Sequence, residues 1–247
     1  MIRETIATLT LVASLASAFP ADAQSRVQRV VSPGGIEAWL VEERSVPLVA
    51  IEMNWRGGAA QDPAEKPGLA SITMNMLDEG AGDLAGAAFQ DRMKDLAVSI
   101  GFGASRDAVS GSFRALTINR DAGLDLLRLA LMAPRFDQTE IERVRQQVVA
   151  GLRREETNPN AIAGRTMSAT AFPNHPYGRP TNGTIASVAT LGREDMVAYH
   201  RAVMARDNLK IAVVGDIDAA TLAPLLDRVF GALPARASLA PVPDVVP

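Results

Sequence analysis

The sequence predicts an α+β fold in which a β-sheet has α-helices packed on it. Segments rich in β-branched and aromatic residues, bounded by Gly or Pro, are typical of strands and occur in both halves of the chain. Segments with apolar residues at i, i+3 and i+7 are typical of helices and separate those strands. The 247 residues are enough for one sizeable core, so we expect one compact domain.

The first half of the chain predicts strands and helices in turn. "GGIEAWLVEE" and "VPLVAIEMNWR" have strand composition. A helix follows between Gly68 and Gly80, and a second helix begins near Asp83. "DAVSGSFRALT" alternates as a half-buried strand does. The residues expected in the core are Leu69, Ile72 and Met76 in the first helix, Phe89, Met93 and Leu96 in the second, and Val109, Phe113 and Ala115 in this strand.

The second half predicts mainly helices around one buried strand. Three helical stretches come first, and the third begins after "NPN". Pro159 marks the joint because proline is tolerated in the first turn of a helix and not inside it. The loop "FPNHPYGRPTNGT" is dense in Pro, Gly and Asn and must be irregular. "LKIAVVGD" then reads as a buried strand between two amphipathic helices. Their expected core residues are Met196, Tyr199 and Val203 before the strand, and Leu222, Leu225, Leu226, Val229 and Phe230 after it.

Both ends of the chain differ from this pattern. Arg3, the apolar run Ile6–Ala18 and the small-x-small triplet at residues 21–23 predict a signal peptide over residues 1–23. A buried N-terminal helix is the alternative, whereas the apolar run is shorter than a membrane span requires. Residues 24–232 form the predicted domain, and the proline-rich residues 233–247 read as an extended interdomain linker whose second domain is absent from the sequence.

Composition excludes several classes of function. The formal net charge is −3, and Arg residues are interleaved with Glu in stretches such as "ERVRQQVVAGLRREE", so nucleic acid is not an expected partner. The absence of Cys excludes disulfides, thiolate metal sites and a cysteine nucleophile. His175 and His200 are the only histidines. A three-histidine zinc site is therefore impossible, although two histidines with a carboxylate remain open.

Several of these segments, in this order, resemble the N-terminal half of the pitrilysin/insulinase family of zinc peptidases, the inverzincins. The resemblance is carried by "GGIEAWLVEERSVPLVAIEMNWRGGAAQDPAEKPGLA", "FDQTEIERVRQQVVAGLRREETNPNAIA", the "FPNHPYGRPTNGT" segment with its continuation to "VVGDID", and the linker. The resemblance implies a mixed, mainly antiparallel sheet with helices packed on one side.

The family's catalytic motif is missing from the matching helix. Active members carry His-x-x-Glu-His after "PGLA", with two histidine ligands and a glutamate that activates water. Here those positions are Ser71, Met74 and Asn75. The family's third ligand, a glutamate on a later helix, aligns near Ala150 or Gly151. We therefore predict no catalytic residues, no bound metal and no cofactor.

Other candidate residues have simpler interpretations. His175 is read as a loop or packing residue, and Ser71 has no His near it in the sequence that could act as its base. "GFGAS" lacks the lysine and the strand-to-helix context of a phosphate loop. The resemblance instead implies an edge strand there, to which a substrate peptide adds as a further strand. The predicted peptide-binding residues are Gly101, Phe102, Gly103, Ala104 and Ser105.

The resemblance implies a function through contact. The family includes two-subunit enzymes in which one chain holds zinc and the other, without zinc, completes the substrate chamber with an Arg and a Tyr from its C-terminal half. We expect an exported, non-catalytic subunit, located in a bacterial periplasm, that forms a heterodimer with a zinc-bearing homologue and contacts peptide substrates. No membrane span is predicted. The alternatives are a stand-alone peptide-binding or interaction module and a hydrolase of unrecognised mechanism.

Overall fold

The structure is a computed structural model that describes residues 27–245. The predicted signal peptide lies outside these residues. The main sheet has six strands in the order β1-β2-β8-β3-β7-β6, and a small second sheet pairs β4 with β5. The strands are β1 Val27–Val31, β2 Glu37–Glu42, β3 Leu48–Arg56, β4 Gly80–Ala81, β5 Leu84–Ala85, β6 Ser99–Ala104, β7 Ala108–Leu116 and β8 Leu209–Gly215.

Eight α-helices are described within residues 27–245. They are α1 Leu69–Asn75, α2 Gly86–Asp95, α3 Arg120–Met132, α4 Gln138–Glu156, α5 Pro159–Ala171, α6 Ile185–Thr190, α7 Arg193–Val203 and α8 Ala219–Phe230. None of the helices in this range is long and apolar enough to cross a bilayer.

The sheet is mixed and mainly antiparallel, as predicted. β2 and β8 run parallel, whereas the pairs β1–β2, β3–β8, β3–β7 and β6–β7 are antiparallel. β8 lies between β2 and β3, so a strand from late in the chain fills the middle of the sheet. β1 and β6 are the two edges.

One face of the sheet is buried and the other is exposed. In β3 the buried residues are Val49, Ile51, Met53 and Trp55, and they alternate with partly or fully exposed ones. β7 and β8 alternate in the same way. The helices contribute their apolar stripes to the same core. The predicted core residues of the two halves are buried, with Leu225 only partly so.

The structure adds three strands, β1, β4 and β5, and one α-helix, α6, that the sequence pattern did not predict. β1 has only Val30 buried, so its sequence lacks the alternation that marks a strand. α6 has only six residues and is too short for a visible period. The helix expected near Asp83 begins at Gly86, because the β4–β5 hairpin comes first.

The proline-rich segment lies against the domain. Within residues 233–245, Ala240 exchanges two hydrogen bonds with the Gln61 side chain, at 2.7 and 3.0 Å. The Nε2–H of His175 donates to the Pro243 carbonyl at 2.8 Å, and Nδ1 accepts from the Tyr177 amide. The segment has no regular secondary structure within the described residues, and it is attached to the body at several points.

His200 should make the stability of the fold depend on pH. Its Nε2–H donates to the Leu131 carbonyl at 3.0 Å, and burial lowers its pKa to about 4. Between pH 6.5 and 4 the unfolded chain therefore binds a proton that the folded chain does not. The free energy of unfolding should fall as the pH falls through this window. Burial raises the pKa of Asp62 and Asp78 to about 6, which acts in the opposite direction.

A His200→Gln variant isolates the histidine from these aspartates. We expect the difference in free energy of unfolding, wild type minus variant, to decrease by about 1–2 kcal/mol from pH 7 to pH 5. Urea unfolding of both proteins at the two pH values measures it. A difference that stays constant between pH 7 and pH 5 would show that His200 is not the group responsible.

Candidate functional site

The start of helix α1 is fixed by a carboxylate six residues away. Gly68, at the N-cap position, has a left-handed backbone (φ 95°) and no side chain with which to cap the helix. Asp62 replaces that cap: its Oδ2 accepts from the Gly68 amide and its Oδ1 from the Ala70 amide, both at 2.8 Å. A carboxylate at this position satisfies free amides of the first turn and interacts favourably with the helix dipole.

The Asp62 side chain is almost completely buried, with 4% of its surface exposed. Burial raises its pKa to about 6, while the amide hydrogen bonds and the charge of Arg179 oppose that rise. Tyr199 lies nearby, and its hydroxyl donates to the Gly58 carbonyl at 2.9 Å. This buried polar cluster sets the position from which α1 enters the core.

The loop of residues 178–183 packs directly on the start of α1. A Cβ on Gly68 would lie 2.9 Å from the Gly183 Cα, and a Cβ on Gly183 would lie 2.4 Å from the Pro67 carbonyl oxygen. Both glycines have positive φ, so only glycine fits at either position. Arg179 also donates to the Asp62 carbonyl at 2.7 Å. The loop and the helix are therefore fixed relative to each other.

The three positions of the family motif have different surroundings. Ser71 is half-buried, and its Oγ donates to Oδ1 of Asn182 at 3.2 Å. Met74 is fully buried and belongs to the hydrophobic core. Asn75 is exposed. The base position is thus filled by core packing, and Ser71 contacts an amide rather than a base that could activate it.

Asn75 lines a cleft of about 440 Å³. The cleft lies between the end of α1, the edge strand β6 and helix α4. Its lining residues are Asn75, Asp78, Glu79, Gly101, Phe102, Val144, Gln147 and Val148. Burial raises the pKa of the Asp78 carboxyl to about 6, and the neighbouring Glu79 forms an ion pair with Arg143. The cleft can hydrogen-bond a ligand but contains no nucleophile paired with a base.

Helix α4 forms the wall opposite Asn75. Val144 and Val148 line the cleft, and Gly151 lies on the same helical face, two turns after Val144. Ala150 is turned away by about 100°. A Cβ on Gly151 would have no heavy atom nearer than Arg154 at 3.9 Å. Of the two positions aligned with the family's third ligand, Gly151 is the one on the face that lines the cleft.

β6 is an edge strand, and it contains four of the five predicted peptide-binding residues. Gly101 to Ala104 pair with β7 on one side, and β6 has no neighbouring strand on the other side within the described residues. Ser105 follows the strand and hydrogen-bonds across the turn to Ala108. A Cβ on Gly101 or Gly103 would contact only a serine hydroxyl at 3.6 Å, so packing within the chain does not require either glycine.

Neither histidine lies in a metal-binding arrangement. His175 holds the proline-rich segment, and His200 packs edge-on against Phe136 with ring centroids 6.4 Å apart. Over residues 27–245, no three His, Cys, Asp or Glu side chains come together in a way that could hold a metal ion.

Sequence reasoning missed the residues that position this site. Asp62, Arg179 and Asn182 lie in loops. Asp62 is close to α1 in sequence, whereas Arg179 and Asn182 reach Asp62 and Ser71 only after the chain has folded back over more than a hundred residues. The sequence did indicate that Asp78 shares a helix face with the motif positions, because it follows Ser71 and Asn75 at helical spacing. For Met74 the sequence indicated packing rather than a role in the site, since a methionine at the position of a catalytic base favours the core, where Met74 lies.

The sequence model described as "Insulinase (Peptidase family M16)" matches residues 39–185, more than half of the chain. The chain belongs to this family. A second model, described as "Peptidase M16 inactive domain", matches residues 190–247. The two matches together extend from β2 to the proline-rich segment.

The similar proteins include one named as a non-peptidase homologue and several named as uncharacterized zinc proteases. The chain is 24% identical to a Helicobacter pylori protein named "Non-peptidase homolog YmxG" over 176 residues, which cover 71% of this chain and 41% of that protein. The chain thus spans less than half the length of this relative.

The solved structures agree with this assignment. The peptidase M16 inactive domain from Pseudomonas fluorescens superposes with a TM-score of 0.83 and 26% identity, covering 90% of this chain and 54% of that one. Pitrilysin superposes with a TM-score of 0.79, covering 92% of this chain and 25% of that one. At 17% identity, the likeness to pitrilysin shows the fold alone.

Replacing Asp62 should loosen the start of α1 in this M16 domain. Asp62→Ala removes the acceptor of two buried amides, which should lower the free energy of unfolding by about 2–3 kcal/mol. Urea unfolding at pH 7.5 measures the loss. Asp91→Ala is the matched control, because Asp91 is exposed and, among residues 27–245, forms an ion pair only with the exposed Lys94. Equal effects of the two substitutions would contradict the capping role.

Restoring the catalytic motif should damage the core. Met74→Glu places a carboxylate where the side chain is fully buried, and we expect a loss of about 3 kcal/mol or more in the free energy of unfolding. Met74→Leu keeps the volume and should cost less than about 1.5 kcal/mol.

For the same reason, the triple variant Ser71→His, Met74→Glu, Asn75→His should not become an efficient peptidase. Thermal unfolding and a chelator-controlled peptidase assay measure the two effects. A stable triple variant that cleaves peptides only when zinc is present would contradict both the burial argument and the need for a third ligand.

Proposed function

We propose that this chain is an exported, non-catalytic member of the M16 family that forms one wall of a peptide-binding chamber and works with a zinc-bearing catalytic homologue. One observation carries the proposal: the helix that bears the catalytic motif in active members is held in place, but its motif positions are Ser71, Met74 and Asn75. Zinc-dependent hydrolysis of a peptide bond requires both the metal ligands and a base near the bound water.

The peptide-binding part of the proposal is supported by the edge strand and the cleft beside it. A peptide that pairs with β6 uses main-chain hydrogen bonds, which need no particular side chains. Gly101 and Phe102 form one wall of the cleft that Asn75 enters. Peptide binding can therefore persist in a chain that has lost the catalytic motif.

The partnering part is supported by apolar surface on the exposed face of the sheet. Val27 and Val31 of β1, Trp39 of β2 and Val214 of β8 are 45–61% exposed, and the strand registers place them on one face. The Arg29–Glu37 ion pair lies among them on the same face. Exposed apolar side chains grouped on one face of a sheet are typical of interaction surfaces. The chain spans about half of the structurally similar inactive domain, so a further domain or a second subunit can cover this face.

Export is proposed from the N-terminal sequence. Arg3, the apolar run Ile6–Ala18 and the triplet at residues 21–23 have the order of a secretory signal. Expression in a bacterial host, followed by N-terminal sequencing of the periplasmic fraction, tests this part. A product that begins at Gln24 supports export with cleavage after Ala23, and an uncleaved cytoplasmic product contradicts it.

A stand-alone peptide-binding module is the main alternative. It is favoured by the edge strand alone and needs no catalytic partner. A hydrolase of unrecognised mechanism has one supporting observation, which is that the Asp78 carboxyl has a pKa near 6 and lines the cleft. Asp78→Asn would abolish any such activity of the purified chain.

Co-expression with a homologue from the same genome that has an intact His-x-x-Glu-His motif tests the partnership. We expect the two chains to co-elute in size-exclusion chromatography. Peptidase activity should appear in the complex, and glutamine in place of the homologue's motif glutamate should abolish it. We expect elemental analysis to show that the zinc is bound to the homologue and not to this chain.

Trp39→Glu tests the surface. We expect it to weaken the association about tenfold or more, because it places a charge in an apolar interface. Met167→Glu is the matched control, since Met167 is 73% exposed on helix α5, away from the sheet. A monomer that neither associates with the homologue nor changes its activity, yet binds peptides, would favour the stand-alone module.

A further inference from the structure

A cavity of about 480 Å³ lies between helix α5 and the loop of residues 178–183. It is separate from the cleft at Asn75, and its volume is within the range of small-ligand sites. Three arginines line it, Arg106, Arg165 and Arg179, whereas Glu155 is its one acidic residue. Ser168 and Asn182 add neutral hydrogen-bonding groups. The lining therefore carries two more positive charges than negative ones.

The chain itself holds these arginines in position. Arg106 donates to the Tyr177 carbonyl, and its guanidinium carbon lies 5.6 Å from the centre of the Tyr177 ring. Arg179 donates to the Asp62 carbonyl, and Arg165 lies 3.5 Å from the Glu155 carboxylate. A guanidinium has five N–H donors. Each of the three arginines uses at most two of these donors in contacts with the described residues.

We propose that this cavity binds a carboxylate carried by a peptide. Guanidinium groups match the planar geometry of a carboxylate and can donate two parallel hydrogen bonds to it. The excess positive charge disfavours cations. The ligand class rests on the proposed function, because the peptide is the one that would pair with β6.

The position of the cavity connects it to the edge strand. β6 ends at Ala104, and Arg106 follows two residues later in the turn to β7. On the other side, Asn182 lines the cavity and accepts the hydrogen bond of Ser71 on α1. A peptide paired with Gly101 to Ala104 therefore runs past the cleft at Asn75 and reaches the arginines at the end of the strand.

Helix α5 forms the roof of the cavity with little packing of its own. None of its thirteen residues is buried, and Met167 and Ile162 are 73% and 43% exposed. Two side-chain contacts join this helix to the rest of the domain: Ser168 with Arg106, and Arg165 with Glu155. A carboxylate bound by Arg106 and Arg165 adds a link across the cavity, so amide hydrogen exchange in α5 should become slower when the ligand binds.

Three ten-residue fluorescent peptides of alternating Val and Thr test the proposal on the full chain by fluorescence anisotropy. The first has one Asp and blocked termini, the second has Asn in its place, and the third has Asn and a free C-terminal carboxylate. We expect at least one carboxylate peptide to bind about five- to tenfold more tightly than the neutral one. The peptide whose affinity increases shows whether the site binds a side-chain carboxylate or a terminal one.

Arg165→Gln should remove this gain and leave the affinity for the neutral peptide unchanged. Arg153→Gln is the matched control, because Arg153 is an exposed arginine on α4 that does not line the cavity. It should keep the gain. Circular dichroism verifies that both variants are folded.

The outcomes separate this inference from the proposed function. If the neutral peptide binds and neither carboxylate adds affinity, or if the two variants behave alike, the carboxylate site is wrong and peptide binding stands. If no peptide binds, peptide binding on β6 is wrong. N-acetyl-aspartate N-methylamide then tests the cavity alone: slower exchange in α5, lost in Arg165→Gln, supports the site, and unchanged exchange overturns it.

Discussion

The capping of helix α1 by Asp62 is the interaction on which the organisation of the site depends. α1 is a short helix, and short helices are marginal without tertiary support. The buried carboxylate provides that support by accepting the amides of Gly68 and Ala70. Arg179 and Gly183 then bring the loop of residues 178–183 against the same turn. The cleft and the arginine cavity both take their shape from these contacts.

This interaction explains how the scaffold can persist without the chemistry. The cap acts on backbone amides, so the capping hydrogen bonds do not depend on which side chains stand at positions 71, 74 and 75. Met74 lies in the core, where a glutamate would be costly. The other two positions contact solvent or Asn182. The domain therefore retains the M16 architecture while its motif positions contribute packing and hydrogen bonds.

Local patterns in the sequence predicted most of the fold, because periodicity reports which face of an element is buried. Ile72 and Met76 on α1, and Val109 and Phe113 on β7, are examples. β1 escaped prediction because a single residue of it, Val30, is buried. The cavity could not be predicted, because Arg106 lies about 60 or more residues before Arg165 and Arg179 in the sequence and meets them only in the folded chain. The edge position of β6 followed from the family resemblance, since an isolated strand pattern does not reveal its neighbours.

The central position of β8 has a consequence for the order of folding. The two family matches meet between residues 185 and 190, yet β8 pairs with β2 and β3 from the first match. Without it, the sheet is two separate ladders, and joining β2 to β8 closes a loop of about 170 residues. Such long-range pairing is slow. A nascent chain therefore cannot complete its sheet until residue 215 has been synthesised, after all the other strands have been made.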